Sequence, residues 1–214
     1  MEFMSSPPGA SFAYQAANER ERKALLALRE HLNNAAATDA RLVEKIEKFA
    51  CTYGGANNSS DRGLLRYLRA GDVNCDINLA VTRLKNTVEF RTQLGLDEIT
   101  SISEAMQQHP LHDVWPIAFP LVAPDGCPVQ YSRLGAVKPS QLTKHGEDAM
   151  KLATTLSLAR AVELQAEVEK TQHCPGTYDV YDCSGLGWDH MQMSDLRVCS
   201  RCVSLGTTHF PETL

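Results

Sequence analysis

The stretch TYDVYDCSGLGWDH at 177–190 constrains the fold of this chain more than any other. It begins with the β-favouring residues Tyr178 and Val180 and breaks at Gly185 and Gly187, which is typical of a core strand that ends in a tight loop. Helical patterns of apolar residues lie before and after it. A strand between helices predicts a mixed α/β fold.

The first half of the chain has helical periodicity only. Residues 1–15 are rich in Pro, Ser and Gly and predict a flexible tail, and residues 16–95 predict a helical N-terminal lobe. The first helix is predicted over about 16–32, with a stripe of leucines on one side. The residues predicted to cap the later helices are Thr38 or Asp39, the polar run at 57–60, and Asp76.

Two arginines in the third predicted helix, Arg66 and Arg69, have two interpretations. They could bind a phosphate, or they could lie on a solvated helix face or in an ion pair. An arginine pair on a surface helix is more often of the second kind. The sequence therefore favours a structural role for both.

Strand signals begin after the helical lobe. The segment 114–131 has β-favouring residues on both sides of Pro124-Asp125-Gly126, which predicts two strands joined by a turn. Pro116 and Pro120 cannot donate a hydrogen bond to a neighbouring strand, so the first strand is predicted to be an edge or irregular strand.

A long helix is predicted from about 145 to 170. It has two apolar stripes, which indicates burial on more than one side, as in a helix that covers a sheet. The helix leads directly into the strand at 177, so the predicted order is β, β, α, β.

Composition narrows the function classes. The formal charge of -5 gives no clustered excess of cations, and we expect no nucleic-acid partner. No apolar run approaches the length of a membrane span and no signal peptide is apparent, which predicts a soluble, cytoplasmic protein. The seven cysteines are an odd number at irregular spacing, as expected for reduced thiols.

Five phrases in order, LLRYLRA, VEFR, DGCPVQYSRLG, YDCSGLGWDH and HFPETL, resemble the CRAL-TRIO lipid-transfer family. They are most similar to its animal members of the supernatant protein factor and tocopherol-associated type. The resemblance implies that residues 110–214 are the lipid-binding domain, in which a sheet forms the floor of a cavity closed by a gate helix.

The same resemblance implies binding of one hydrophobic lipid, a phospholipid, a tocopherol-like molecule or another isoprenoid, and its transfer between membranes. The protein would dock transiently at a membrane surface. In the family a further strand and the gate helix follow the counterpart of HFPETL, which implies that the domain here is partial. The strand at 178–183 is then expected to expose an unpaired edge.

Lipid-contacting positions follow residue by residue from the resemblance. Glu212 matches the Glu of the Pro-Glu pair in the phosphoinositide site; it could equally cap or orient the segment after it. A basic pair of that site is replaced by Gly71 and Asp72, which removes the cations that bind phosphate. The positions that match headgroup contacts of choline-lipid relatives are Gln130, Thr177 and Asp179.

Enzymatic interpretations are weaker. Cys199 and Cys202, with His190 and His209 nearby in sequence, offer zinc-type or redox ligands, but the cysteines fit a helix face as small core residues. The cluster of Asp182, Cys183, Ser184 and His190 lacks a nucleophile elbow. We therefore expect a non-enzymatic protein without cofactor or metal. The alternative to lipid transfer is a helical interaction or regulatory module with a protein partner.

Overall fold

The structure is a computed structural model with a mixed α/β fold. It describes residues 18–52, 60–71, 75–171, 174, 176–191, 200–201 and 204–211. The predicted tail at 1–15 lies outside the described residues.

Four helices form the first part of the fold: α1 (Glu19–Ala36), α2 (Ala40–Cys51), α3 (Asp61–Gly71) and α4 (Ile77–Gln93). Asp39 accepts a hydrogen bond from the Leu42 amide and Asp76 accepts one from the Leu79 amide, which confirms two of the three predicted caps. Residues 57–59 of the third predicted cap lie outside the described residues. The core between these helices is formed by buried apolar side chains that include Leu28, Leu32, Ile46, Phe49, Leu64, Leu65, Tyr67, Leu68 and Leu84.

The sheet has three strands in the order β1 (Ile117–Val122), β2 (Pro128–Arg133) and β3 (Tyr178–Asp182). β1 pairs antiparallel with β2, and β2 pairs parallel with β3. The register of β1 shifts between Ala118 and Leu121, around Pro120, which confirms the predicted irregular edge strand. Within the described residues β3 pairs with β2 alone, and its other edge is open.

Helix α6 (Pro139–Val168) connects β2 to β3, which confirms the predicted β, β, α, β order. Gly146, at φ 81° and ψ 168°, interrupts the helix, so the long straight segment begins just after it. α6 packs on α5 (Ile102–Gln108) and on the sheet. A second core forms there around Leu96, Ile102, Leu156, Val162 and Phe210.

Buried polar contacts join the helical lobe to the rest of the chain. Arg66 of α3 is only 2% exposed and donates to Gln165 Oε1 of α6 at 3.0 Å, so the expectation of a surface position was wrong. The periodicity of α3 could not reveal this, because a second element covers its polar side. Arg69 pairs with Glu21 of α1 at 2.8 Å, which confirms the ion-pair interpretation for that residue.

Candidate functional site

Strand pairing determines which side chains share each face of the sheet, because paired residues point to the same side. One face carries two rows of apolar and aromatic residues that cross all three strands. The first row is Leu121, Val129 and Tyr178, and the second is Ala118, Tyr131 and Val180. We call these six residues the open face.

The open face is exposed at its two outer strands. Leu121 is 57% exposed, Tyr178 50% and Val180 45%, whereas Val129 on the middle strand is buried. Single exposed apolar side chains are common, but several on one face of a sheet form a patch, and such patches mark binding surfaces.

Polar groups at the margin hold the aromatic side chains of the open face. The Tyr178 hydroxyl donates to Asp125 Oδ2 at 2.7 Å, and the Tyr131 hydroxyl donates to Asp182 Oδ2 at 2.8 Å. Hydrogen bonds from Ser184 and from Tyr131 hold the pKa of Asp182 at about 2. Both rings are thus fixed at their polar tips, with their carbon surfaces at the face.

The predicted headgroup residues lie on the other side of the sheet. Gln130 is buried, and its Oε1 accepts from the Ser157 hydroxyl of α6 at 2.8 Å. Asp179 pairs with Gln130 across the strands and so shares its face. Thr177, two residues earlier, accepts from Gln165 Nε2 at 2.8 Å. All three positions face α6 rather than the open face.

Asp179 has an unusual environment on that inner face. Its Oδ1 is buried and makes no hydrogen bond. Burial raises the pKa of the carboxyl above its usual value, and a hydrogen bond with the Tyr181 side chain offsets only part of this rise. The hydroxyl of Ser132, on the same face, also lacks a partner. Glu212 and Asp72 lie outside the described residues, so the structure does not relate them to this group.

The residues of the enzymatic interpretations make other contacts. His190 Nδ1 accepts from the Gly187 amide at 3.1 Å, so Nε2 carries the proton and donates to the Val137 carbonyl at 3.1 Å. Asp182 accepts from the Ser184 amide at 2.9 Å, as in an Asx turn. In this arrangement both imidazole nitrogens are engaged by backbone groups rather than by Cys183 or Ser184.

The zinc interpretation involves two cysteines and two histidines. Cys199 and Cys202 lie outside the described residues. Within the part of the chain that the structure describes, no group of three or more His, Cys, Asp or Glu side chains could hold a metal ion. His209 is partly buried and stacks on Phe90 with 4.1 Å between the ring centroids.

Sequence reasoning missed the open face. The sequence predicts that Tyr178 and Val180 belong to a strand, but it does not indicate that they lie on the exposed side of the sheet. The turn at Pro124-Asp125-Gly126 determines which residues of β1 and β2 share a face of the sheet. Along β3, Tyr178 and Val180 alternate with Asp179 and therefore point to the opposite face from it. That alternation was the available signal, although it does not say which face a helix covers.

No known protein-family model matches this chain. Among the helices that the structure describes, none is both long and apolar enough to cross a membrane.

Proposed function

We propose that this chain binds a hydrophobic lipid on the open face and transfers it between membranes, without catalysis and without a cofactor. The observation that carries the proposal is the apolar patch that Leu121, Tyr178 and Val180 form across the strands. The similarity of five sequence phrases to the CRAL-TRIO family, in which a sheet forms the floor of the lipid cavity, supports the same function.

The chemistry of the open face suits an acyl or isoprenoid chain. Its exposed surface, at Leu121, Tyr178 and Val180, is mainly carbon, and both tyrosine hydroxyls of the face are already engaged at the margin by Asp125 and Asp182. Burial of about 200 Å² of apolar surface contributes about 5 kcal/mol, which is enough for a reversible contact. A phospholipid, a tocopherol-like molecule or another isoprenoid would meet this requirement.

Transfer requires a transient contact with a membrane surface. The loop after β3 carries Trp188, which is 90% exposed, and Leu186, which is 46% exposed. Tryptophan favours the interface between headgroups and acyl chains. We infer that this loop approaches the bilayer while the lipid is exchanged.

The test is native mass spectrometry of the chain recovered from a lipid-rich lysate, with lipid extraction in parallel. We expect about one lipid per chain, and we expect Val180→Asp to lose it because the carboxylate would be desolvated under the acyl chain. The matched control is Leu26→Asp, which alters a 65% exposed leucine on α1, a helix of the N-terminal lobe.

A wild-type chain without bound lipid, or equal lipid content in the Val180→Asp and Leu26→Asp variants, would contradict the proposal. Recovery of a stable protein complex without lipid would instead support the alternative, a helical interaction or regulatory module. That alternative relies on the helical lobe, which has a hydrophobic core of its own.

A further inference from the structure

A cavity lies away from the sheet, between the helical lobe and α6. We call it the lobe cleft, and its volume is about 170 Å³. The residues that line it come from α2, α4, the α4–α5 connection, α5, α6 and the segment at 204–211, and they include Lys48, Phe49, Arg91, Leu96, Asp97, Ile102, Ala159, Val162, Glu163 and Phe210.

The floor of the lobe cleft is apolar. Phe49, Leu96 and Phe210 are almost completely buried, as is Val162 of α6. Protein interiors are normally packed without such gaps, and an apolar cavity of about 150 Å³ is known to hold a benzene-sized molecule. The cleft therefore has room for a body of roughly the size of one phenyl ring.

Four charged side chains line the cleft, Lys48, Arg91, Asp97 and Glu163, and of these only Lys48 makes no ion pair among the described residues. Arg91 donates to Asp97 Oδ1 through Nε at 2.8 Å, and its guanidinium lies 5.6 Å from the centre of the Phe49 ring. Glu163 is paired with Arg160 at 2.9 Å. Lys48 is exposed and makes no ion pair or hydrogen bond with any described residue. The mouth thus favours an anion.

We propose that the lobe cleft binds a small monocarboxylate with an aromatic or short aliphatic body. The body fills the apolar floor, and the carboxylate lies between the Lys48 ammonium and the Arg91 guanidinium at the mouth. This site is distinct from the open face, because Ala159 and Val162 lie on the side of α6 opposite Ser157, which contacts the sheet.

The experiment uses 3-phenylpropanoate as the probe and 3-phenylpropanol as its neutral analogue, with binding followed by methyl NMR. We expect saturable shifts of Ile102 and Val162 with a Kd of about 1 mM or tighter for the acid, and weaker binding of the alcohol. Lys48→Gln should weaken binding of the acid about fivefold and leave binding of the alcohol unchanged. Lys45→Gln, one turn away and bonded to Thr92, is the matched control.

Ala159→Leu provides a second test, because the larger side chain fills the cleft and should abolish binding of both probes. A circular-dichroism spectrum and an unfolding midpoint near those of the wild type establish that this variant folds. Equal affinity for acid and alcohol, or equal loss in the Lys45→Gln and Lys48→Gln variants, would overturn the proposal. Shifts at Leu121 and Val180 in place of Ile102 and Val162 would also overturn it, while they would agree with lipid binding at the open face.

Discussion

A buried ion pair joins Arg62 of α3 to Glu169, just after α6, and the two side chains are 4% and 3% exposed. Arg62 also donates to the Cys174 carbonyl at 3.2 Å, and the Cys174 amide donates to Glu169 Oε1 at 2.8 Å. Burial lowers the pKa of Arg62 to about 10. The pair therefore fixes the connection that leads from α6 into β3.

Breaking this pair should be costly, because a buried charge that loses its counter-ion retains its desolvation penalty. We expect Glu169→Gln to lower the free energy of unfolding by about 3 kcal/mol, as measured by urea denaturation. The matched control is Glu167→Gln, since Glu167 is 67% exposed and pairs only with Lys170 in a surface contact. The control should change stability by less than about 0.5 kcal/mol. Equal losses in the two variants would show that the buried pair has no special role.

At the scale of the elements, local signals in the sequence were sufficient for much of the fold. The caps Asp39 and Asp76, the turn at Pro124-Asp125-Gly126 and the irregular first strand were all predicted correctly. Each depends on side chains that act within a few residues of themselves, through backbone hydrogen bonds or restricted dihedral angles. These local interactions form in the same way whichever tertiary contacts the segment makes.

Tertiary contacts were not predictable in the same way. Within its own helix Arg66 has the pattern of a surface arginine, and it is buried because Gln165 of α6 packs against it. The same difficulty affected the candidate site. Gln130 and Asp179 alternate with Tyr131 and Val180, and the decision between the two faces depends on where α6 packs. No property of either strand contains that information.

Two of the five phrases that resemble the CRAL-TRIO family, DGCPVQYSRLG and YDCSGLGWDH, meet at Gly135, in the 3-10 turn Leu134–Ala136 after β2. A Cβ at Gly135 would lie 1.8 Å from the Ser184 carbonyl oxygen, in the loop after β3. The backbones of the two loops are therefore in direct contact, which only glycine permits.

We expect Gly135→Ala to lower stability by about 1–3 kcal/mol, because the backbone of one loop must move. For a chain of this size each kcal/mol corresponds to a decrease in Tm of about 2–4 °C, which calorimetry can measure. Gly187→Ala is the matched control, since a Cβ there would meet no atom within 4 Å. A Tm for Gly135→Ala equal to that of the control would contradict the close contact.

At the scale of the whole molecule, the segment at 204–211 connects the helical lobe to the second core. The Tyr67 hydroxyl of α3 donates to the His209 carbonyl at 2.7 Å, and His209 Nδ1 lies 3.2 Å from the Thr87 hydroxyl of α4. Phe210, the next residue, is buried in the second core. One short segment thus contacts both halves of the fold.

This connection should make stability depend on pH. Burial lowers the pKa of His209 to about 4 from its usual 6.5, so between these values the unfolded chain binds more protons than the folded one. The free energy of unfolding should therefore fall as the pH decreases from about 6.5 towards 4, with no contribution from His209 above that range. We expect His209 to account for about 1–2 kcal/mol of this loss, a value reduced for its partial exposure.

Urea denaturation at pH 7 and at pH 4.5 measures the effect. His209→Phe preserves an aromatic ring against Phe90 but cannot bind a proton, so its stability should fall less than that of the wild type over this interval. His31→Phe, which changes an exposed histidine of α1, should retain the full wild-type dependence. Acid sensitivity that is the same in the His209→Phe variant as in the wild type would show that other groups control it. Protonation of His209 would then have no measurable effect on stability through the contact of the 204–211 segment with the helical lobe.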